Sequence, residues 1–562
     1  MSEGTMPAAG GRKRVAVIGG GPAGLVTMKE LKDKGLEVVG FERRTQPGGV
    51  YRGTYAGLQL TSSSLLTSFS SFVRPRDLDR PTVWQCGEYL EYLADYARHF
   101  DLDRHYHYGT EVRSVGRVAG GGWRVRYAAP DAASGEEREI HVDNVVVCSG
   151  GNEQPRFPAW ADPSRFDGRI VHSAEIRDDR DFAGKRVVVV GLGESGSDIA
   201  LMAARGGVAC AISTRKGPGY VIPRYYRGLP TDLDTNRCYH ALPRSMVQTP
   251  IVRFKVKIED ALLKPDEDRA VLEKAGELNA ARGLPPFHRF ATKSTAFIEA
   301  MLYHGASYHG DVAELRRDRV VFADGTEFEC DMIVCCTGFA PGLPFLQEHE
   351  PELARRSRNS RMMYKRMIFP EVGTDIAWVG YVRPFVGSVP PCAEMQARYL
   401  ALLISGEKPM PSPAEMREDI RLHAELDTRQ FVEDAERLPA LTDFFRFMET
   451  MAHDIGCRPP FGRLLLREPW TAAMVMAGPL TGIQYRLAGP GAEPEAASRA
   501  LRRMPTMPWL VVAYEALVLF GCWAAGLTRE PWRKWHPRRA PAPRPEHAVA
   551  ERPRAVLELS EP

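Results

Sequence analysis

RVAVIGGGPAGLVTM, residues Arg14–Met28, returns in altered form as RVVVVGLGESGSDIA at Arg186–Ala200. Each stretch opens with a short apolar run of strand type and passes through spaced glycines into a helix-forming segment. In the first, Gly19 makes the tight turn, Gly21 lets a pyrophosphate approach the backbone, and Gly24 lets helix pack on strand. Gly20, Pro22 and Ala23 complete that turn and open the helix, whose free N–H groups and positive dipole end suit an anion. In the second, Gly191, Gly193 and Gly196 take the three glycine places, with Ser195, Ser197 and Asp198 beside them. The repeat predicts an α/β protein with two dinucleotide-binding, Rossmann-like domains.

The residue that ends the next strand separates the two copies. Glu37–Phe41 runs into Glu42, 18 residues beyond Gly24. A carboxylate there accepts from ribose hydroxyls and repels a 2′-phosphate, so the outer site suits FAD. Val208–Ile212 runs instead into Ser213, Thr214, Arg215 and Lys216. Two cations in that place suit a 2′-phosphate, so the inner site suits NADPH. Each copy ends alike, in a β-hairpin followed by an apolar strand, and the second hairpin turns at Asp324-Gly325. The strand at Met332–Cys336 and the chain after it are expected to return to the first sheet. That predicts a NADPH domain (179–329) inserted into a discontinuous FAD domain (11–178, with the linker, and 330–500).

A chain of 562 residues with net charge +3 and 26% charged residues reads as a multidomain globular protein with no bias toward nucleic acid. The ten cysteines include no CxxC pair, which excludes a disulfide reductase, and no metal site is expected. The first residues have no apolar core of a signal peptide, so a cytoplasmic enzyme is expected. Residues 541–562 are rich in Pro and charge and read as disordered. The element 501–540 contains Trp509–Leu527, 19 residues with the single charge Glu515, followed by the basic PWRKWHPRR. Its length suits a bilayer, but the central Glu costs about 2–3 kcal/mol there, so a packed helix and a membrane contact both stay open.

FDGRIVHSAEIRD at Phe166–Asp178 resembles the fingerprint of the flavin-containing monooxygenases, class B flavin-dependent monooxygenases, in Phe166, Gly168 and His172. Ile176 stands where that family has an aromatic residue, and the Trp-Pro of Baeyer–Villiger relatives is missing. QPGGVY (Gln46–Tyr51), GLPTD (Gly228–Asp232), MYKRMIFPE (Met363–Glu371), GYVRPFVGSVPPCAEMQAR (Gly380–Arg398) and YRLAGPG (Tyr485–Gly491) are similar to further family segments, from about residue 14 to about residue 500. By this resemblance Val50, Tyr51, Thr61, Ser62 and Gln396 lie near FAD, and His172 organises the linker beside NADPH. Arg224 is a further candidate for the NADPH phosphate. In LQLTSSSLLTSFSSF (Leu58–Phe72), Thr61 takes the place of an Asn that contacts flavin and NADP in the family. Thr61 and Ser62 are therefore the candidate catalytic residues, and the Asn-to-Thr exchange predicts more leakage of hydrogen peroxide.

The resemblance implies that NADPH reduces FAD, that dioxygen adds to give a C4a-hydroperoxide, and that a nucleophilic N or S atom of a small molecule takes the distal oxygen. Ketone oxygenation of Baeyer–Villiger type and an uncoupled NADPH oxidase are the alternatives. The expected partners are a small-molecule substrate and O2, and a homodimer is compatible with the sequence.

Overall fold

The computed structural model describes residues 12–130, 136–242, 250–263, 268–281, 290–432 and 434–525. The expected tail, the first eleven residues and the basic segment after the last helix lie outside the described residues.

Two five-stranded parallel sheets carry the fold. The first contains β1 (Arg14–Ile18), β2 (Glu37–Glu42), β3 (Tyr106–Tyr108), β4 (Asn144–Val147) and β10 (Ile376–Trp378), in the order β10-β4-β1-β2-β3. The second contains β5 (Arg169–His172), β6 (Arg186–Val190), β7 (Ala209–Ser213), β8 (Ser307–His309) and β9 (Met332–Cys335), in the order β5-β9-β6-β7-β8. Strands covered on both faces are apolar throughout; one face of each sheet packs on a small antiparallel sheet, and Val15–Val17, Val145–Val147 and Val187–Val189 are all fully buried. Helix α1 (Pro22–Asp33) follows β1, and helix α2 (Glu194–Gly206) follows β6.

The sheets correct the expected boundaries. Met332–Cys335 does not return to the first sheet; it pairs in parallel with both β6 and β5 in the second. Arg169–His172, expected in the linker of the FAD domain, is the outer strand of that same sheet. A strand apolar on both faces takes a central position, and Arg169–His172 covers its open edge. The return comes later, where β10 pairs with β4 from Ile376↔Val145 to Trp378↔Val147. The insertion itself holds, with wider limits. The outgoing and returning chains lie side by side, Gln154–Pro155 pairing antiparallel with Phe339–Ala340. Each expected hairpin is a three-stranded antiparallel sheet (Glu111–Arg117, Trp123–Ala128, Arg138–Val142; Val312–Leu315, Arg319–Phe322, Glu327–Glu329), so one strand in each had gone unread.

Helix α3 (Val389–Ile404) is buried along almost its whole length and packs on α1. Where they meet, Glu30 of α1 and Glu394 of α3 share the buried Arg486, at 2.7 and 2.9 Å. Burial alone would raise the Glu30 carboxyl, but Arg486 and Lys29 bring it down to about 2. The YRLAGPG element thus supplies the counter-charge of the helix pair.

The final helix, α4 (Trp509–Ala524), buries Val511, Val512, Glu515 and Cys522. Glu515 forms an ion pair with Lys255 at 2.6 Å and accepts from Asn236 at 3.2 Å, so the one charge of this apolar stretch faces the protein. Its other face exposes Leu510, Leu517, Phe520 and Trp523, and Trp509 meets Trp470 with ring centroids 5.0 Å apart. Among the described residues no helix is long and apolar enough to cross a membrane.

Candidate active site at two dinucleotide turns

Both glycine turns form, with nearly equal dimensions. Gly19 N–H donates to Phe41 O at 2.8 Å and Gly191 N–H to Ser213 O at 2.8 Å. Their φ angles are +113° and +98°, a region that favours glycine. A Cβ on Gly24 would stand 1.8 Å from the Gly19 carbonyl oxygen, and one on Gly196 would stand 1.9 Å from that of Gly191. At both places the close helix–strand approach leaves no room for a methyl group. Cys148 N–H bonds Ile18 O and Cys336 N–H bonds Val190 O, each at 2.8 Å, closing the two turns alike.

The outer turn fits FAD. Pro22 and Ala23 open α1, and neither Gly21 nor the N-terminal end of α1 carries a side-chain cap, so its N–H groups are free to meet a pyrophosphate. The buried Glu42 carboxylate accepts from Gly20 N–H at 2.6 Å and Arg44 N–H at 2.8 Å, which sets it over the turn. Gly49 lies against Gly21, and Gly48 N–H donates to Gly20 O at 3.0 Å, so the QPGGVY segment forms one wall. Val50 is 46% exposed at that wall, whereas the Tyr51 ring packs edge-on to Tyr89 at 4.9 Å. Burial pushes the Tyr51 hydroxyl up to about 12.

The inner turn fits NADPH. Gly193 caps α2 with no side chain over it, and Ser195 is half-buried in the first helical turn. Arg215 and Lys216 stand exposed beyond β7, and neither forms an ion pair with a described residue. Two unpaired cations at this strand end match a phosphate dianion.

Several expected contacts are occupied by the protein itself. Ser197 Oγ donates to Ser294 Oγ at 2.9 Å and accepts from Phe297 N–H at 3.1 Å. Asp198 accepts from Tyr55 at 3.1 Å and Ser294 at 2.8 Å and pairs with Arg224 at 2.9 Å. Arg224, a candidate for the phosphate, also donates to the carbonyls of Gln59 and Leu60 and so ties the two units together. His172 is fully buried, with Nε2 donating to Gly338 O at 3.0 Å and Nδ1 accepting from Ala174 N–H at 3.2 Å. Burial holds its ring below the usual imidazole range, and no ring nitrogen is left for a cofactor. Gln396 likewise joins two loops, accepting from Gly380 N–H at 3.0 Å and donating to Lys365 O at 2.9 Å. These five organise the site from behind, because each polar atom already has a protein partner.

Thr61 and Ser62 lie on the strand Gln59–Ser63, where neighbouring side chains point to opposite faces. Thr61 is half-buried, whereas Ser62 is buried with its hydroxyl on Thr67 at 2.9 Å and Ser388 at 3.1 Å. Of the two, only Thr61 presents a side chain that is not buried. Ser294 and Lys293 have no sequence signal beyond the hydroxyl-rich ATKST around them, and Ser388 lies within GYVRPFVGSVPPCAEMQAR with no role read for it. Asp232 was noticed within GLPTD without a role; it accepts from Ser63 N–H at 2.6 Å. Among the described residues no cluster of three metal-ligating side chains occurs.

Comparison with known proteins bears on the same residues. A family model described as flavin-binding monooxygenase-like matches residues 12–505. The 4-hydroxybenzoate brominase (decarboxylating) of Marinomonas mediterranea is 33% identical over 88% of this chain and 94% of its own. Dimethylaniline monooxygenase [N-oxide-forming] 2 of Pan troglodytes is 31% identical, over 85% and 89%. The solved S-allyl-L-cysteine S-oxygenase of Allium sativum has the same fold, with a TM-score of 0.57 at 21% identity, over 88% of this chain and 99% of its own. With two dinucleotide turns in place and a match across nearly the whole chain, this protein belongs to the flavin-binding monooxygenase-like family and is a flavin-dependent monooxygenase that uses FAD, NADPH and dioxygen.

Proposed function

We propose that the enzyme oxygenates a nucleophilic nitrogen or sulfur atom of a small organic molecule. The observation that carries this reading is the 31% identity to an N-oxide-forming relative along 85% of the chain, with Phe166, Gly168 and His172 of the shared fingerprint in place. The flavin supplies reduction and oxygen transfer when bound, and the side chains bind, orient and exclude water. In this reading Gly19, Gly20, Gly21, Pro22, Ala23, Gly24 and Glu42 hold FAD. Gly191, Gly193, Ser195 and Gly196 take the NADPH pyrophosphate, and Arg215 and Lys216 take its 2′-phosphate. Thr61 offers one hydroxyl to the reacting end of the flavin, and Ser62, Ser388 and Thr67 fix the strand that presents it.

The brominase relative supports a second reading, in which bromide is the nucleophile and an aromatic acid the final acceptor. Holoenzyme given NADPH and, in turn, a tertiary amine, a thioether, a cyclic ketone, or 4-hydroxybenzoate with bromide separates the two. Amine or sulfur oxide formed in step with NADPH consumption is expected. Lactone alone, bromophenol alone, or peroxide alone with every substrate would overturn the first reading.

For α4 we propose contact with a bilayer surface and not a span. An inward Glu515 and an outward row of Leu510, Leu517, Phe520 and Trp523 support it.

A further inference from the structure

Lys293 lies where the two nucleotide units meet. Its backbone is fixed over the inner turn by its neighbours, Thr292 Oγ1 donating to Leu192 O at 3.0 Å and Ser294 Oγ to Asp198 at 2.8 Å. Its side chain leaves that unit and reaches the other, where Nζ donates to Gly387 O at 3.0 Å. Gly387 precedes Ser388, whose hydroxyl is bonded to Ser62 beside Thr61. Lys293 is therefore positioned by the NADPH turn and delivered to the strand expected to face the flavin.

The ammonium is poorly satisfied there. It has three donors, and the Gly387 carbonyl is its one hydrogen-bond acceptor among the described residues. Asp232 and Glu194 are the carboxylates nearest in effect, yet neither comes within ion-pair distance. Asp232 gives Oδ2 to Ser63 N–H at 2.6 Å and leaves its buried Oδ1 without a hydrogen-bond partner, and Glu194 faces Arg383 at 3.5 Å. Burial pulls the Lys293 amine below its usual range, as expected for a cation short of partners. A half-buried cation with one neutral acceptor is a cost that an incoming anion offsets.

We propose that Lys293 is a specificity-determining residue that binds a carboxylate on the substrate, away from the atom that is oxygenated. This rests on the nitrogen- or sulfur-oxygenating reading above. A carboxylate fits better than a cofactor phosphate for two reasons. The head of Lys293 bonds a carbonyl of the first unit, whereas Arg215 and Lys216 stand beyond a strand of the second. Asp232 and Glu194 nearby also repel a dianion more strongly than a monoanion.

The test compares 4-(methylthio)benzoate with 4-(methylthio)toluene, which share a sulfur atom and differ in the carboxylate. Binding is read from the change in flavin absorbance of the oxidised holoenzyme, and turnover from sulfoxide formed per NADPH. The acid is expected to bind about 30-fold more tightly than the neutral probe, as one charge-assisted contact allows. Lys293→Met should bring that ratio to near one with the KM for NADPH unchanged, and Lys293→Arg should keep most of it. An unchanged ratio in Lys293→Met overturns the proposal. So does an equal rise in the KM for NADPH, which would assign Lys293 to the cofactor. If Lys293→Met fails to retain flavin, Lys293→Arg decides: a retained preference supports the site and a lost one overturns it. Lys293-dependent binding of the acid without any sulfoxide leaves this site standing and removes the reading on which it was built. Sulfoxide from both probes with no preference for the acid does the reverse.

Discussion

The two glycine turns share one backbone and differ in charge. Gly19 and Gly191 make the same 2.8 Å bond to the neighbouring strand, and Gly24 and Gly196 leave the same gap of less than 2 Å. At the next strand end one turn has the buried Glu42 and the other the exposed Arg215 and Lys216. Shape therefore suits both turns to a dinucleotide, and in the proposed assignment a few side chains outside the turns decide which dinucleotide each takes. That lesson is local: geometry repeats, electrostatics discriminates.

The sharpest way to break the comparison is to remove one gap at a time. Gly24→Ala puts a methyl group 1.8 Å from a carbonyl oxygen, so FAD affinity should fall at least about 100-fold, or about 2.7 kcal/mol. The purified variant should be colourless. Gly196→Ala should do the same to NADPH, leaving a yellow protein that the nicotinamide cannot reduce. Loss of colour in Gly196→Ala would mean that the two turns are not independent.

A smaller effect is expected from charge. Replacing Arg215 and Lys216 together by Ala removes both candidate partners of the 2′-phosphate, and the KM for NADPH should rise about 30-fold at about 1 kcal/mol per exposed contact. The KM for NADH should stay near its starting value. Parallel rises for both nucleotides would show that the cations serve the fold and not the choice of cofactor.

The smallest effect concerns the outer strands, β5 in one sheet and β10 in the other. His172 ends β5 as a buried neutral ring with a depressed pKa, so below about pH 6.5 only the unfolded chain gains its proton readily. Stability from this group is present above that pH and is lost as pH falls. The midpoint of thermal unfolding should drop between pH 7 and 5.5, and His172→Gln should recover about 2 °C of that drop.

What could be read in the sequence was what is encoded within a few residues. The turns, Glu42, Arg215 and the hairpin at Asp324-Gly325 all depend on neighbours in the chain, and Gly325 indeed has φ +82°. The misplaced strand Met332–Cys335 shows the limit, since an apolar run states that it is buried but not in which sheet. His172, Gln396 and Asp198 show another. Their partners at Gly338, Lys365 and Arg224 lie 166, 31 and 26 positions away, so nothing nearby revealed that their polar atoms were already used. Ser62 could have been separated from Thr61 by the alternation of a strand, had the strand been recognised. Lys293 had no motif at all.

The paired crossings at Gln154–Pro155 and Phe339–Ala340 have a mechanical consequence. Both strings of chain that attach the nicotinamide unit pass through one narrow ribbon, so the unit is hung like a door with both hinges on one post. A swing about that post must first break Arg224 from two carbonyls and Asp232 from Ser63. The ribbon is thus the hinge between the two units, and those side-chain bonds are its latch.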